Sequence, residues 1–184
     1  YAEAARAECS SELTVMIPEG GQLLCVAGLL SDNACKTVAT EEQALSCAEY
    51  ERYCNALKDF TLSGGASAIL TELRLIKDER ELDTIARAQS ITDAAFSHIL
   101  GVLHPDMTEI EVALELEFYM RAHGSEGTAF DTIAVSGTAS SRPHGVPRPV
   151  KLEKGFFTMD FGARVDGYCA DMTRTVVIGR ADEE

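Results

Sequence analysis

Apolar positions recur along this chain with two periods, and the change from one to the other marks its elements. Across residues 41–58, Ala44, Cys47, Tyr50, Cys54 and Leu57 fall at spacings of three and four, which predicts a helix with one apolar face and places Cys47 and Cys54 in a core as buried structural thiols. The spacing returns in Leu82, Ile85, Ala88, Ile91, Ala95, Ile99 and Val102. That helix opens on Asp78 with Glu81 three residues on, a capping box with Asp in place of Ser or Thr, and ends at Gly101 and Pro105. A second box, Thr108 with Glu111, opens a helix striped by Val112, Leu116, Tyr119 and Met120, with Gly124 as its C′ residue. Residues 22–30 predict another helix and residues 1–7 the tail of one. Residues 13–17 predict a short strand ended by Pro18-Glu19-Gly20-Gly21. Residues 62–67 are small and flexible, residues 68–74 read as partly extended, residues 128–135 as a strand, residues 136–149 as a Gly/Ser/Pro-rich loop, and residues 181–184 as a surface turn.

The period shortens to two in residues 156–175, where two apolar runs flank Asp166-Gly167. Gly accepts positive φ and Asp tolerates it, so the pattern predicts a β-hairpin with a two-residue loop. Val165 then faces Tyr168, and Asp160 faces Thr173. Asp171 shares a face with Thr173, so Asp160 and Asp171 point the same way as diagonal neighbours about 7–8 Å apart. A three-residue loop would shift the register and separate them. Thr158, Gly162, Cys169 and Thr175 share the acidic face, whereas Phe157, Met159, Phe161, Met172 and Val176 form an apolar back. The residues leave three readings of the pair: metal ligands, an acid/base dyad, or solvated charge. His144 lies between Pro143 and Pro147, in a restricted loop able to hold an imidazole or simply expose one. His98, His104 and His123 lie near helix ends, where imidazoles need no further role.

Composition narrows the partners. The 184 residues are 46% hydrophobic with a formal charge of −14, which suits a folded globule and repels phosphate backbones and anionic lipid. We therefore expect no nucleic acid and no membrane partner. The longest apolar run, residues 23–30, is too short to span a bilayer. Six cysteines without a C-x-x-C pair and without a signal-like start point to reduced thiols in the cytoplasm. The first residue is Tyr1 and no terminating element precedes Glu184, so we expect a segment of a longer protein.

Residues 73–177 resemble the catalytic domain of the Xaa-Pro aminopeptidase and dipeptidase branch of the metallopeptidases with the pita-bread, or creatinase-like, fold. The resemblance is carried by residues 74–81, by residues 137–147 around His144, and by Met159-Asp160-Phe161-Gly162 with residues 166–175. Residues 1–67 more weakly resemble the C-terminal remainder of the small α/β N-terminal domain of that branch. The implied fold class is α+β, with residues 68–184 as the first half of a pita-bread domain.

The resemblance implies a two-metal hydrolase acting on a peptide substrate with proline at the second position. Asp160 would bind one ion and Asp171 would bridge two, with a hydroxide between them attacking the scissile carbonyl. His144 would contact the substrate and steady the tetrahedral intermediate. Two Mn²⁺ ions are implied first, with Co²⁺ or Zn²⁺ as substitutes, and a homodimer is the family expectation. The family completes its site with one histidine and two glutamates further along, so this chain is expected to be inactive alone, and two ions wanting about six ligands each cannot be held by two aspartates. One half of the fold would also expose a strand edge. The competing readings are a non-catalytic pita-bread module that binds peptides or proteins and an aspartic acid/base enzyme without metal.

Overall fold

The chain divides into two compact units, Tyr1–Ile76 and Lys77–Glu184, and the structure, a computed structural model, describes residues 2–180. The turn expected over residues 181–184 lies outside the described residues, as does Tyr1.

The first unit holds helices α1 (Ala2–Glu8), α2 (Gln22–Asp32), α3 (Cys47–Ala56) and α4 (Ala66–Leu75), with strands β1 (Thr37–Ala39) and β2 (Thr61–Ser63) paired in parallel. Helix α3 begins where Ser46 and Glu49 close a capping box, later than its apolar stripe suggests. Three expectations are corrected. Residues 13–17 form no strand, because no described strand lies beside them, and Leu13, Met16 and Ile17 are exposed. The extended reading of residues 68–74 gives way to α4, which Gly65 opens at φ 107° and which Ala, Leu and Glu favour. The two three-residue strands are too short for an alternation signal. Cys47 and Cys54 are exposed, since the side of α3 turned inward carries Tyr53 and, at its C-cap, the buried Leu57, and not the stripe of the cysteines.

The second unit is α+β. Helices α5 (Glu79–Val102) and α6 (Glu109–Ala122) start at the expected boxes. The Glu81 amide donates to Asp78 Oδ1 at 2.8 Å, and the Glu111 amide donates to Thr108 Oγ1 at 3.2 Å. Gly124 follows α6 at φ 104°. Strands β3 (Gly127–Thr128), β4 (Ile133–Ser136), β5 (Gly155–Phe161), β6 (Ala163–Val165), β7 (Tyr168–Cys169) and β8 (Met172–Ile178) make two antiparallel sheets, ordered β4-β5-β8 and β3-β6-β7. The single strand expected over residues 128–135 is thus two strands in different sheets. Ala95, Ile99, Val112, Leu116 and Met120 of the helices pack on Phe157, Met159, Phe161 and Met172.

The buried face of α5 differs from the expected stripe. Leu82 is 55% exposed, while Thr84 and Thr92 are buried. Both hydroxyls donate to carbonyls one turn back, Arg80 O at 2.9 Å and Ala88 O at 3.0 Å, so burial leaves them satisfied. Thr92 Oγ1 also accepts from the Ala163 amide at 3.0 Å, tying α5 to β6.

Candidate active site

The hairpin places the acidic pair. Asp166 at φ 47° and Gly167 at φ 80° make the turn, Val165 faces Tyr168, and Asp160 faces Thr173. This is the register of a two-residue loop. The ladder is interrupted between β5 and β6 and between β7 and β8. Gly162 lies there, so close to the Ala170 carbonyl that a Cβ would overlap it, and its own carbonyl accepts from the Ala129 amide at 2.8 Å. Absence of a side chain allows this bend, which turns the hairpin from one sheet into the next. On β5 Phe157, Met159 and Phe161 are buried against the helices, and Thr158 and Asp160 alternate onto the other face. Thr158 and Thr175 hydroxyls meet there at 3.1 Å.

Asp160, Asp171 and His144 line one cavity of about 640 Å³, together with Phe130, Asp131, Ile133, Val146 and Pro147. The structure therefore brings the three sequence-selected residues together. Asp160 Oδ1 is buried without a hydrogen-bond partner among the described residues. Burial pushes the Asp160 carboxyl above its ordinary range, the Thr173 hydroxyl opposes the rise, and the neighbouring Asp171 carboxylate adds to it. No Lys or Arg lines the cavity, and of its lining residues only His144 opposes the rise. A hard divalent cation would relieve both the orphaned oxygen and the repulsion. The two aspartates fit as part of such a site, and among the described residues no group of three His, Cys, Asp or Glu side chains lies close enough together to hold an ion by itself.

His144 sits in a loop whose two ends are fixed by a residue that sequence reasoning missed. Glu109, in the first turn of α6, is fully buried. Its Oε1 accepts from the Ser136 amide and hydroxyl, both at 2.8 Å, and from Arg148 Nη2 at 2.6 Å. Its Oε2 accepts from the Arg148 amide and Nε, both at 2.9 Å. Burial by itself would raise this carboxyl, but the Arg148 and Ser136 hydrogen bonds outweigh it and hold the group at about 2. An acidic residue in a first helical turn ordinarily reads as solvated and favourable to the helix dipole, so no local signal marks Glu109 as buried.

The other histidines take structural places. His98 Nε2 meets Glu115 Oε1 at 2.6 Å and its ring stacks on Tyr119, whose other neighbour is the His123 ring. His104 lies 3.5 Å from Asp106. No helix of the described structure is long and apolar enough to cross a membrane.

Known proteins resemble this arrangement. The profile of metallopeptidase family M24 matches residues 83–184. The peptidase YqhT of Bacillus subtilis strain 168 is 39% identical over 171 residues, covering 92% of this chain and 48% of the relative. The solved structure of an X-Pro aminopeptidase from Thermotoga maritima MSB8 superposes with a TM-score of 0.87 at 35% identity, over all of this chain and 52% of that one. An Xaa-Pro dipeptidase from Bacillus anthracis gives 0.89 at 35% identity, covering all of this chain and 51% of that one. The chain thus spans about half the length of the proteins it matches, and over that half its α+β arrangement is the pita-bread fold. Fold, profile and relatives agree: this chain belongs to metallopeptidase family M24.

Proposed function

We propose that this chain supplies part of the active site of a metal-dependent peptidase that cleaves the bond between an N-terminal residue and a following proline. The observation that carries the reading is the convergence of Asp160, Asp171 and His144 on one cavity, with Asp160 Oδ1 buried and unbonded. Its relatives include proteins named X-Pro aminopeptidase and Xaa-Pro dipeptidase, which supports the choice of bond.

In this reading Asp160 and Asp171 hold divalent ions through carboxylate oxygens. Such ions, when bound, supply a nucleophile from water near neutral pH and a Lewis acid for the scissile carbonyl. His144 donates a hydrogen bond to the carbonyl oxygen as it gains charge. Phe130, Ile133, Val146 and Pro147 give the cavity an apolar wall suited to an apolar side chain or a proline ring. An all-oxygen pair suits Mn²⁺, with Co²⁺ or Zn²⁺ as substitutes. The described cysteines are all free, which supports a reducing compartment such as the cytoplasm.

Two ions need about six donors each, and two aspartates cannot provide them, so these 184 residues alone are expected not to cleave the Xaa-Pro bond of Ala-Pro or of longer Xaa-Pro peptides. The test is the intact polypeptide that carries these residues. Xaa-Pro hydrolysis should be lost with chelator and restored by Mn²⁺. Activity that survives chelation would mean an acid/base dyad instead, and neither hydrolysis nor metal binding would leave a peptide- or protein-binding module.

A further inference from the structure

Glu109 is buried and charged, and the reaction proposed above gives it no part. Burying a carboxylate is costly unless its oxygens are satisfied, and here every donor comes from the two ends of one loop. Ser136 ends β4, and Arg148 follows His144 on the way to β5. Cross-bonds reinforce the closure. Arg148 Nη2 donates to Ser136 O at 3.3 Å and to Glu153 Oε1 at 3.2 Å, and the Glu153 amide donates to Ser136 Oγ at 3.0 Å. The start of α6 is fastened to the same segment through its backbone, with the Glu109 amide donating to Val150 O at 3.1 Å. Beside the histidine, Gly145 lies so near β4 that a Cβ would come within 2.9 Å of Val135 Cγ1. The loop is therefore closed at its base and seated against β4 at Gly145, the residue next to His144.

We propose that Glu109 is a positioning residue for His144, its carboxylate clasping both ends of the loop so that the imidazole is held over the Asp160 and Asp171 cavity. The proposal rests on the reading of His144 as the hydrogen-bond donor to substrate. An unclasped loop regains conformational freedom, and a misplacement of about 1 Å in a catalytic group can cost about 100-fold in rate. A charged clasp suits the task because Arg148 offers a planar fork with directional bonds, where an apolar contact would leave the loop free to slide.

The experiment compares Glu109→Gln, Glu109→Asp and the milder Ser136→Ala in the intact polypeptide. By nitrogen-15 relaxation, order parameters of residues 137–147 should fall below about 0.6 in Glu109→Gln while α5 and β5 stay near about 0.85, with a smaller drop at the same place in Ser136→Ala. For Xaa-Pro hydrolysis, kcat should drop about 100-fold in Glu109→Gln with KM within about threefold, and Glu109→Asp should recover part of the loss. Unchanged order parameters in residues 137–147, a uniform loss of order throughout the second unit in both Glu109→Gln and Ser136→Ala, or a raised KM with kcat intact would each overturn the proposal. Absence of hydrolysis by the unsubstituted protein would overturn the Xaa-Pro reading instead, and the order parameters would still decide whether Glu109 fixes the loop.

Discussion

Asp171 and Asp160 share one cavity but differ in surroundings, since Asp171 is exposed and Asp160 has one oxygen sealed from solvent. A divalent ion held between them needs both. Asp171→Ala is expected to remove Mn²⁺ binding by the intact polypeptide, measured by titration calorimetry, while leaving its thermal unfolding within about 1 kcal/mol of the parent, because exposed polar positions contribute little to stability. Gly162 behaves in the opposite way. A methyl group there would overlap the Ala170 carbonyl, and the ladder must part for it. Gly162→Ala is expected to destabilise the second unit by about 1–3 kcal/mol in urea unfolding and to weaken Mn²⁺ binding as well, since Asp171 follows Ala170 directly in the break between β7 and β8 that must shift.

Helix α6, strand β4 and the His144 loop are joined by one carboxylate, and this has a pH consequence. The Glu109 carboxyl lies at about 2 in the folded protein against an ordinary 4.5. With the folded value depressed, the stabilisation is complete above 4.5 and is lost as pH falls from 4.5 toward 2. Its full size is on the order of 3 kcal/mol. Urea titrations on either side of that window should show the loss, and Glu109→Gln should lack this component while being less stable at neutral pH. The capping boxes at Asp78 and Thr108 need no such long-range partner: each is closed within its own first turn, and each was readable from residues three apart.

Across the two units, stability is expected to be unequal. Leu57 is the one buried hydrophobic residue described in the first unit, whereas the second gathers Ile99, Leu116, Met120, Phe157, Met159 and Phe161 into one cluster. Hydrophobic stabilisation follows buried apolar area, so amides of residues 2–76 should lose hydrogen-exchange protection at lower urea than those of residues 79–178. Equal protection would show that the first unit draws stability from something other than its own core. The charge of −14 belongs to this level too, since it favours cations as partners and makes their binding weaken as salt rises.

Much of the second unit could be read from the chain because its decisive chemistry is local. A capping box acts over three residues, a turn over two, and strand alternation follows from backbone geometry, so the helix starts, the Asp166-Gly167 turn and the pairing of Asp160 with Thr173 were available before any fold was known. The burial of Thr92 and Glu109, the splitting of one hairpin between two sheets, and the exposure of Cys47 and Cys54 were not. Each depends on what lies opposite: an Ala163 amide for Thr92, both loop ends for Glu109, an Ala170 carbonyl against Gly162, and, for the cysteines, an α3 that turns Tyr53 and Leu57 inward in their place. Whether a polar group can be buried is settled by partners distant in sequence, and only folding brings those partners together.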